Sequence, residues 1–288
     1  MDKITVGTAQ FSTNTNQVHS RGRPAGDELE ATLKLAVQAG LTTFDTAADY
    51  GDVEALIGRL APRTHPLRVM VRTISGAGGA AAVEAAARAS LRRLGLSRGY
   101  AVVVGSGDDL LGPEGPSLWR RLRGLQDEGL FEHVGVSLKV EDSPFALARR
   151  FRPDIVQAPV SVLDQRLVAN GDLARLSDLG VEVQLRSIFQ HGLLFTPRYG
   201  LPASLADAGP RLSRARRYIA EAGADPLQAA LAFALSRPEA KRIIVGVGSA
   251  AELRAILAAA AAPLPKLDWD QLAMDPPTAR HVGLWAAA

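Results

Sequence analysis

The chain has 288 residues, 47% hydrophobic and 22% charged, which is enough material for a sizeable core and excludes a disordered polymer. A formal net charge of +3 with 5% aromatic residues gives no basis for a nucleic-acid groove, which needs clustered cations interleaved with stacking rings. With no cysteine there is no disulfide, thiolate metal site or cysteine nucleophile; no apolar run reaches the ~18 residues of a membrane span.

The N-terminus, Met1-Asp2-Lys3-Ile4-Thr5-Val6, lacks the layout of a signal peptide, so a cytoplasmic protein is expected. Strands are predicted over 4–8, 42–45, 68–73, 100–104, 133–137, 155–158, 181–185 and 242–247. All are short, rich in valine and isoleucine, and seldom alternate polar with apolar residues, as strands buried on both faces of a parallel sheet do. Helices are predicted near 27–39, 52–60, 80–93, 115–129, 144–150, 170–178, 211–236 and 249–261. In the first, Leu29, Leu33 and Val37 recur every four residues and Gly40 stands where a C-terminal cap is expected. Eight strand–helix units imply an α/β fold closed as a (β/α)8 TIM barrel, with an open doubly wound sheet as the alternative.

The expectation is a single barrel domain over 1–288 with a C-terminal tail from about 264, whose Trp269 and Trp285 pack on the barrel's exterior or rim. The segment 190–210, rich in Gly, Pro and Ser, follows strand seven and is expected over the C-terminal mouth. Arg211, Arg214, Arg216 and Arg217 read as a solvated helix face. Ser106-Gly107-Asp108-Asp109 reads as a turn leading into a helix, and Gly76, Gly78 and Gly79 as a flexible loop rather than a phosphate cradle.

In a barrel, residues at the strand ends converge on one mouth. Asp45 closes strand two and Tyr50 follows five residues later, a spacing at which a carboxylate can orient a general acid that protonates a substrate oxygen. The plainer alternative is that Asp45 satisfies local amides and Tyr50 is a packed rim aromatic. His191, in Gln190-His191-Gly192, could donate to a substrate oxygen or be a surface histidine. The other histidines show no metal-ligand spacing, so no metal is assigned.

Phe44-Asp45-Thr46-Ala47-Ala48-Asp49-Tyr50-Gly51, followed by Glu54-Ala55-Leu56-Ile57-Gly58, resembles the signature of the aldo-keto reductase superfamily. Gly7-Thr8-Ala9-Gln10-Phe11, Val134-Gly135-Val136-Ser137, Ile155-Val156-Gln157-Ala158-Pro159, Asp164-Gln165-Arg166 and Arg186-Ser187-Ile188-Phe189 continue the resemblance in order, from about residue 4 to 260. The Asp-Gln-Arg and Arg-Ser versions resemble bacterial members linked to sugar or secondary metabolism. The resemblance implies a metal-free, NADP(H)-dependent carbonyl reductase whose tyrosine acid is supported by an aspartate, a lysine and a histidine. Tyr50 and Asp45 match two of these four, whereas Ile74 and Gly105 stand at the lysine and histidine positions. It also implies cofactor-binding roles for Gly7, Thr8, Ser137, Gln157, Arg186, Ser187 and Ser249. Leu138 replaces an asparagine, Arg186 an aromatic that stacks on the nicotinamide, and Gly248 and Ile256 the arginine and asparagine of the adenosine end.

A tyrosine of pKa ~10 is a poor acid at neutral pH without a nearby cation. Arg72, two residues before Ile74 on the same side of strand three, could supply that field from about 6.6 Å deeper, or could pair with a buried carboxylate. Three functions stay open: an NAD(P)H-dependent reductase of a small carbonyl or sugar-like metabolite, a non-redox lyase, dehydratase or isomerase using Tyr50 and Asp45, and a non-catalytic binding protein. Dinucleotide binding is expected to be weakened or lost. The substrate is expected to be a small molecule, one that Arg186 would favour as an anion. The sequence leaves the oligomeric state open.

Overall fold

The computed structural model describes residues 2–12, 24–60, 67–201, 203–275 and 278–279. Strands β1 (Ile4–Gly7), β2 (Thr43–Ala47), β3 (Arg68–Arg72), β4 (Gly99–Val104), β5 (Phe131–Ser137), β6 (Ile155–Pro159), β7 (Glu182–Arg186) and β8 (Ala240–Gly246) pair in parallel, each with its neighbour in sequence. β8 pairs with β1, Gly246 opposite Gly7, and closes the ring. The open-sheet alternative is thereby excluded. Closure buries every residue of β1, β2 and β4, which explains their apolar and threonine-rich runs, interrupted in β2 by Asp45.

The outer helices are α1 (Gly26–Gln38), α2 (Val53–Leu60), α3 (Ala80–Leu94), α4 (Gly107–Leu111), α5 (Gly115–Asp127), α6 (Pro144–Phe151), α7 (Arg166–Ala169), α8 (Asp172–Asp178), α9 (Gly209–Glu221), α10 (Pro226–Leu235) and α11 (Ala250–Ala261). Each buries one stripe against the strands. In α3, Val83, Ala87, Leu91 and Leu94 are buried and Gly95 ends the helix in the left-handed conformation. Gly58 lets α2 lie on the end of α3, where a Cβ would come within 2.7 Å of the Arg93 and Leu94 carbonyls. Beside it, the buried Glu54 carboxylate accepts a hydrogen bond from Arg93 Nε at 2.7 Å.

The helix predicted over 211–236 is two helices. Gly223 takes a positive φ of 72°, and Asp225 restarts the chain by accepting a hydrogen bond from the Gln228 amide at 2.9 Å ahead of Pro226. The apolar period runs through this break, which conceals it. The described residues of segment 190–210 include three short 3-10 turns. Ser106 caps α4, as the turn reading implies. Arg211, Arg214 and Arg217 are exposed on α9, with Arg211 paired to Asp275 at 2.8 Å. Trp269 packs edge-on against Phe233 of α10, outside the barrel. Trp285 lies outside the described residues.

The strands and helices enclose the main apolar shell, and a separate cluster of Met70, Tyr100, Ala101, Val103 and Ile155 fills part of the barrel. Below it, at the strands' N-terminal ends, Tyr100 donates to Glu182 Oε2 at 2.8 Å, with Arg68 over its ring and His133 edge-on against it. Above it, the lumen turns polar toward the mouth.

Candidate active site

β2 and β6 stand four places apart in an eight-stranded ring, so a bond between them spans the lumen. Gln157 of β6 makes that bond: its Nε2 donates to Asp45 Oδ2 of β2 at 2.7 Å, and lies 3.4 Å from Gln184 Oε1 of β7. Asp45 and Gln157 are both almost fully buried. The Thr8 hydroxyl and amide both donate to the Asp45 carbonyl at 3.0 Å, fixing the end of β1 against β2. Gly7 is the register partner of Asp45, and a Cβ there would meet Ile244 and the Val245 carbonyl within 3.2 Å. Ser137 is buried beside Gln157 as its register partner.

Arg72 ends β3 in register with Ala47 and bends down toward Asp45, with Nε 3.6 Å from Oδ1. Its guanidinium also lies over the ring of Tyr50, 5.3 Å from the centroid. Arg72 thus lies against both a buried carboxylate and the face of the Tyr50 ring. Tyr50 is half-buried on the turn after β2, its amide bonded to the Ala47 carbonyl at 3.2 Å. Ile74, beyond the end of β3, packs on the apolar shell. At Gly105 a Cβ would come within 3.1 Å of the Thr73 carbonyl.

Arg186 crosses from β7 toward β5. It donates through Nη2 to the Leu138 carbonyl at 2.8 Å and through Nη1 to Ser187 Oγ at 3.1 Å. Ser187 holds a positive φ of 56° at the strand end. Burial, then repulsion from Arg72, pushes the Arg186 guanidinium down to about 10, against the opposing pull of Asp45 and Asp142. Burial raises Asp45 above the usual carboxylate range, opposed by Arg72, Gln157 and Arg186. Three ionisable side chains therefore share one field, with two cations around one inner carboxylate. His191 lies in the turn Gln190–Gly192, and its side chain is outside the described residues. Among the described residues no group of three or more histidine or carboxylate side chains is placed to hold a metal ion.

At the rim after β8, the Ser249 hydroxyl caps α11 by accepting from the Glu252 amide at 3.1 Å. Glu252 Oε2 accepts from the Gly248 amide and Glu28 Oε1 from the Ala250 amide, each at 2.7 Å. These amides open α11, and both are already bonded to carboxylates. Ser249-Ala250-Ala251-Glu252 is a capping pattern legible in the sequence. Glu28 arrives from α1, and nothing local in the chain marks it.

The closed parallel barrel gathers a carboxylate, a tyrosine and a cation at the C-terminal ends of its strands, the end at which barrels of this type carry their sites. The chain matches the aldo/keto reductase family over residues 3–274 and belongs to that family. Among solved structures it is similar to AKR11C1 from Bacillus halodurans in its holo form, at 17% identity, with 97% of this chain and 90% of that one covered and a TM-score of 0.72. It is also similar to PA4992 of Pseudomonas aeruginosa, assigned as an aldo-keto reductase, at 21% identity, covering 90% of this chain and 89% of that one with a TM-score of 0.66. No protein of curated function matches the chain. Among the described residues no helix is long and apolar enough to cross a membrane.

Proposed function

We propose that this chain reduces a small carbonyl compound, with Tyr50 as the proton donor and Arg72 in place of the family's lysine. The observation that carries this reading is the Arg72 guanidinium, held by Asp45 at 3.6 Å while it covers the Tyr50 ring. A fixed cation favours the phenolate and so makes the phenol a stronger acid toward a developing alkoxide. Arginine stays protonated, so Arg72 acts as a field and not as a proton relay. Asp45 is the positioning residue. Two arginines around one inner carboxylate favour a substrate that carries negative charge.

A nicotinamide nucleotide, the family's usual partner, would supply the hydride when bound. The residues suit its two ends differently. At the nicotinamide end, Gln157 Oε1 is buried and without a hydrogen-bond partner, and so could accept from a carboxamide. At α11 the amides already bond the carboxylates of Glu28 and Glu252, which oppose a phosphate. Nucleotide binding is therefore read as weakened, and a chain without an arginine at Gly248 gains no compensating cation there.

That same pair of carboxylates favours a second reading, a non-redox lyase, dehydratase or isomerase in which Tyr50 and Asp45 serve as acid and base without a nucleotide. Titration with NADPH and NADH, followed by turnover of small aldehydes and 2-oxo acids, separates the two. Substrate-dependent loss of reduced nicotinamide that Tyr50→Phe abolishes supports the reductase. Conversion of substrate with no nucleotide present supports the second.

A further inference from the structure

Arg186 is a cation without a counter-ion. Among the described residues no carboxylate lies at ion-pair distance from it, and its two hydrogen bonds go to neutral acceptors, the Leu138 carbonyl and Ser187 Oγ. Its Nε is buried with no partner. One level below, on the neighbouring strand, Gln157 has its amide nitrogen committed to Asp45 and its Oε1 orphaned. The groups facing Arg186 are Arg72, which repels it, Asp45, which Arg72 also contacts, and Asp142, whose Oδ2 accepts from the Lys139 amide at 2.8 Å. A half-buried guanidinium whose Nε is cut off from water and unpartnered is costly, and an anion that completes its hydrogen bonds relieves the cost.

We infer that Arg186 is the seat of a small carboxylate, taken up by the nucleotide-free protein at the position where the family's nicotinamide ring would lie. The inference rests on the proposed placement of the nicotinamide at Gln157 and Arg186. Two of the guanidinium's five N–H donors are taken, by Ser187 Oγ and the Leu138 carbonyl, which leaves donors for an anion. Arg72, on the far side of Asp45, adds a second positive charge within the same field. A planar carboxylate suits this fork better than a neutral carbonyl, which would leave the charge uncompensated. Carboxylate and nicotinamide therefore compete for one space. The positive ring of an oxidised nicotinamide, facing Arg186, loses that competition more readily than a neutral reduced ring.

The test uses the full chain without nucleotide, titrated calorimetrically with pyruvate and malonate and with acetone as the neutral control. Saturable binding of a carboxylate and none of acetone is expected, with affinity falling tenfold or more in Arg186→Met. Arg186→Gln repeats the measurement should the methionine variant not fold. Binding that is unchanged in whichever variant folds, or absent from the parent protein, overturns the seat. The same titration repeated with NADH present reads the overlap: a carboxylate that raises the apparent Kd of NADH in proportion to its concentration supports it. A carboxylate that binds only with nucleotide, or binds more tightly with it, overturns the overlap. If NADH itself never binds, the reductase reading fails, while the calorimetric arms still decide whether Arg186 holds a carboxylate.

Discussion

The two ends of the barrel use the same residue types and arrive at different states. At the base, Tyr100 is buried, its hydroxyl donates to Glu182, Arg68 lies 4.0 Å over its ring and Arg242 adds a second cation at 5.7 Å. Glu182 also accepts from Gln184 Nε2 at 2.8 Å. At the mouth, Tyr50 is half-buried under Arg72, while Arg186 has no ion partner and Gln157 Oε1 is orphaned. A tyrosine–arginine–carboxylate group is thus no signature of chemistry by itself. What separates the ends is that the Tyr100 hydroxyl is committed to Glu182, while the mouth keeps unpartnered atoms on Gln157 and Arg186. Burial and the Glu182 charge raise Tyr100 above the usual phenol range, which makes it a poorer acid still.

The sharpest way to break this contrast is to remove one hydroxyl at each end. Tyr50→Phe is expected to lower kcat by ~10²-fold or more and to leave stability within ~0.5 kcal/mol. Tyr100→Phe is expected to leave kcat unchanged and to cost ~1.5–3 kcal/mol in urea unfolding, since Glu182 loses a buried hydrogen bond. Equal loss of rate in both would erase the distinction.

A second, smaller effect concerns the rim. The double variant Glu28→Gln, Glu252→Gln removes the charge at α11 while leaving oxygen acceptors for the amides. It is expected to bind NADPH roughly tenfold more tightly than the parent, by fluorescence titration. Unchanged affinity would show that these carboxylates do not restrict phosphate.

Stability gives a further test, because the mouth holds charge that folding does not need. Arg186→Met is expected to leave stability unchanged or raise it by ~1 kcal/mol, whereas Arg186 at neutral pH is the protonated, desolvated cation that folding disfavours. For such a group the folded value is below the unfolded one. Its unfavourable contribution is therefore complete at neutral pH and fades as pH rises above about 10. A clear loss of stability in Arg186→Met at pH 7 would mean that Arg186 is a structural partner and not a waiting one.

The smallest effect is a slope. Asp45 is raised above its unfolded value, so the native state holds its proton to higher pH than the unfolded chain does. Its favourable contribution is complete below the unfolded value near 3.8 and is lost as pH rises through the folded value. Denaturant unfolding across that acid range should show the parent losing stability relative to Asp45→Asn as pH rises. A parent that instead gains stability relative to Asp45→Asn as pH rises would mean that Arg72 outweighs burial.

Strand–helix alternation, the barrel, and the places of Asp45, Tyr50 and Arg72 are legible in the chain because they are local. Buried strands read as apolar runs, and a residue's position at a strand end follows from its neighbours. Ser249-x-x-Glu252 belongs to the same class. The break between α9 and α10 was also written locally, in Gly223 and Asp225-Pro226, but lay under a continuous apolar period. What lay beyond the sequence are contacts between elements far apart in the chain. Gln157 bonds to Asp45, 112 positions away, only because closure sets β2 opposite β6. Glu28 reaches the α11 amide 222 positions away because β8 returns to pair with β1. Arg186 is an unpaired cation because its fork lands on a backbone carbonyl and not on a carboxylate. Sequence fixes which charges exist and roughly at which end of the barrel they lie. Which are neutralised depends on distances of a few ångströms between strands, and only the closed ring sets those.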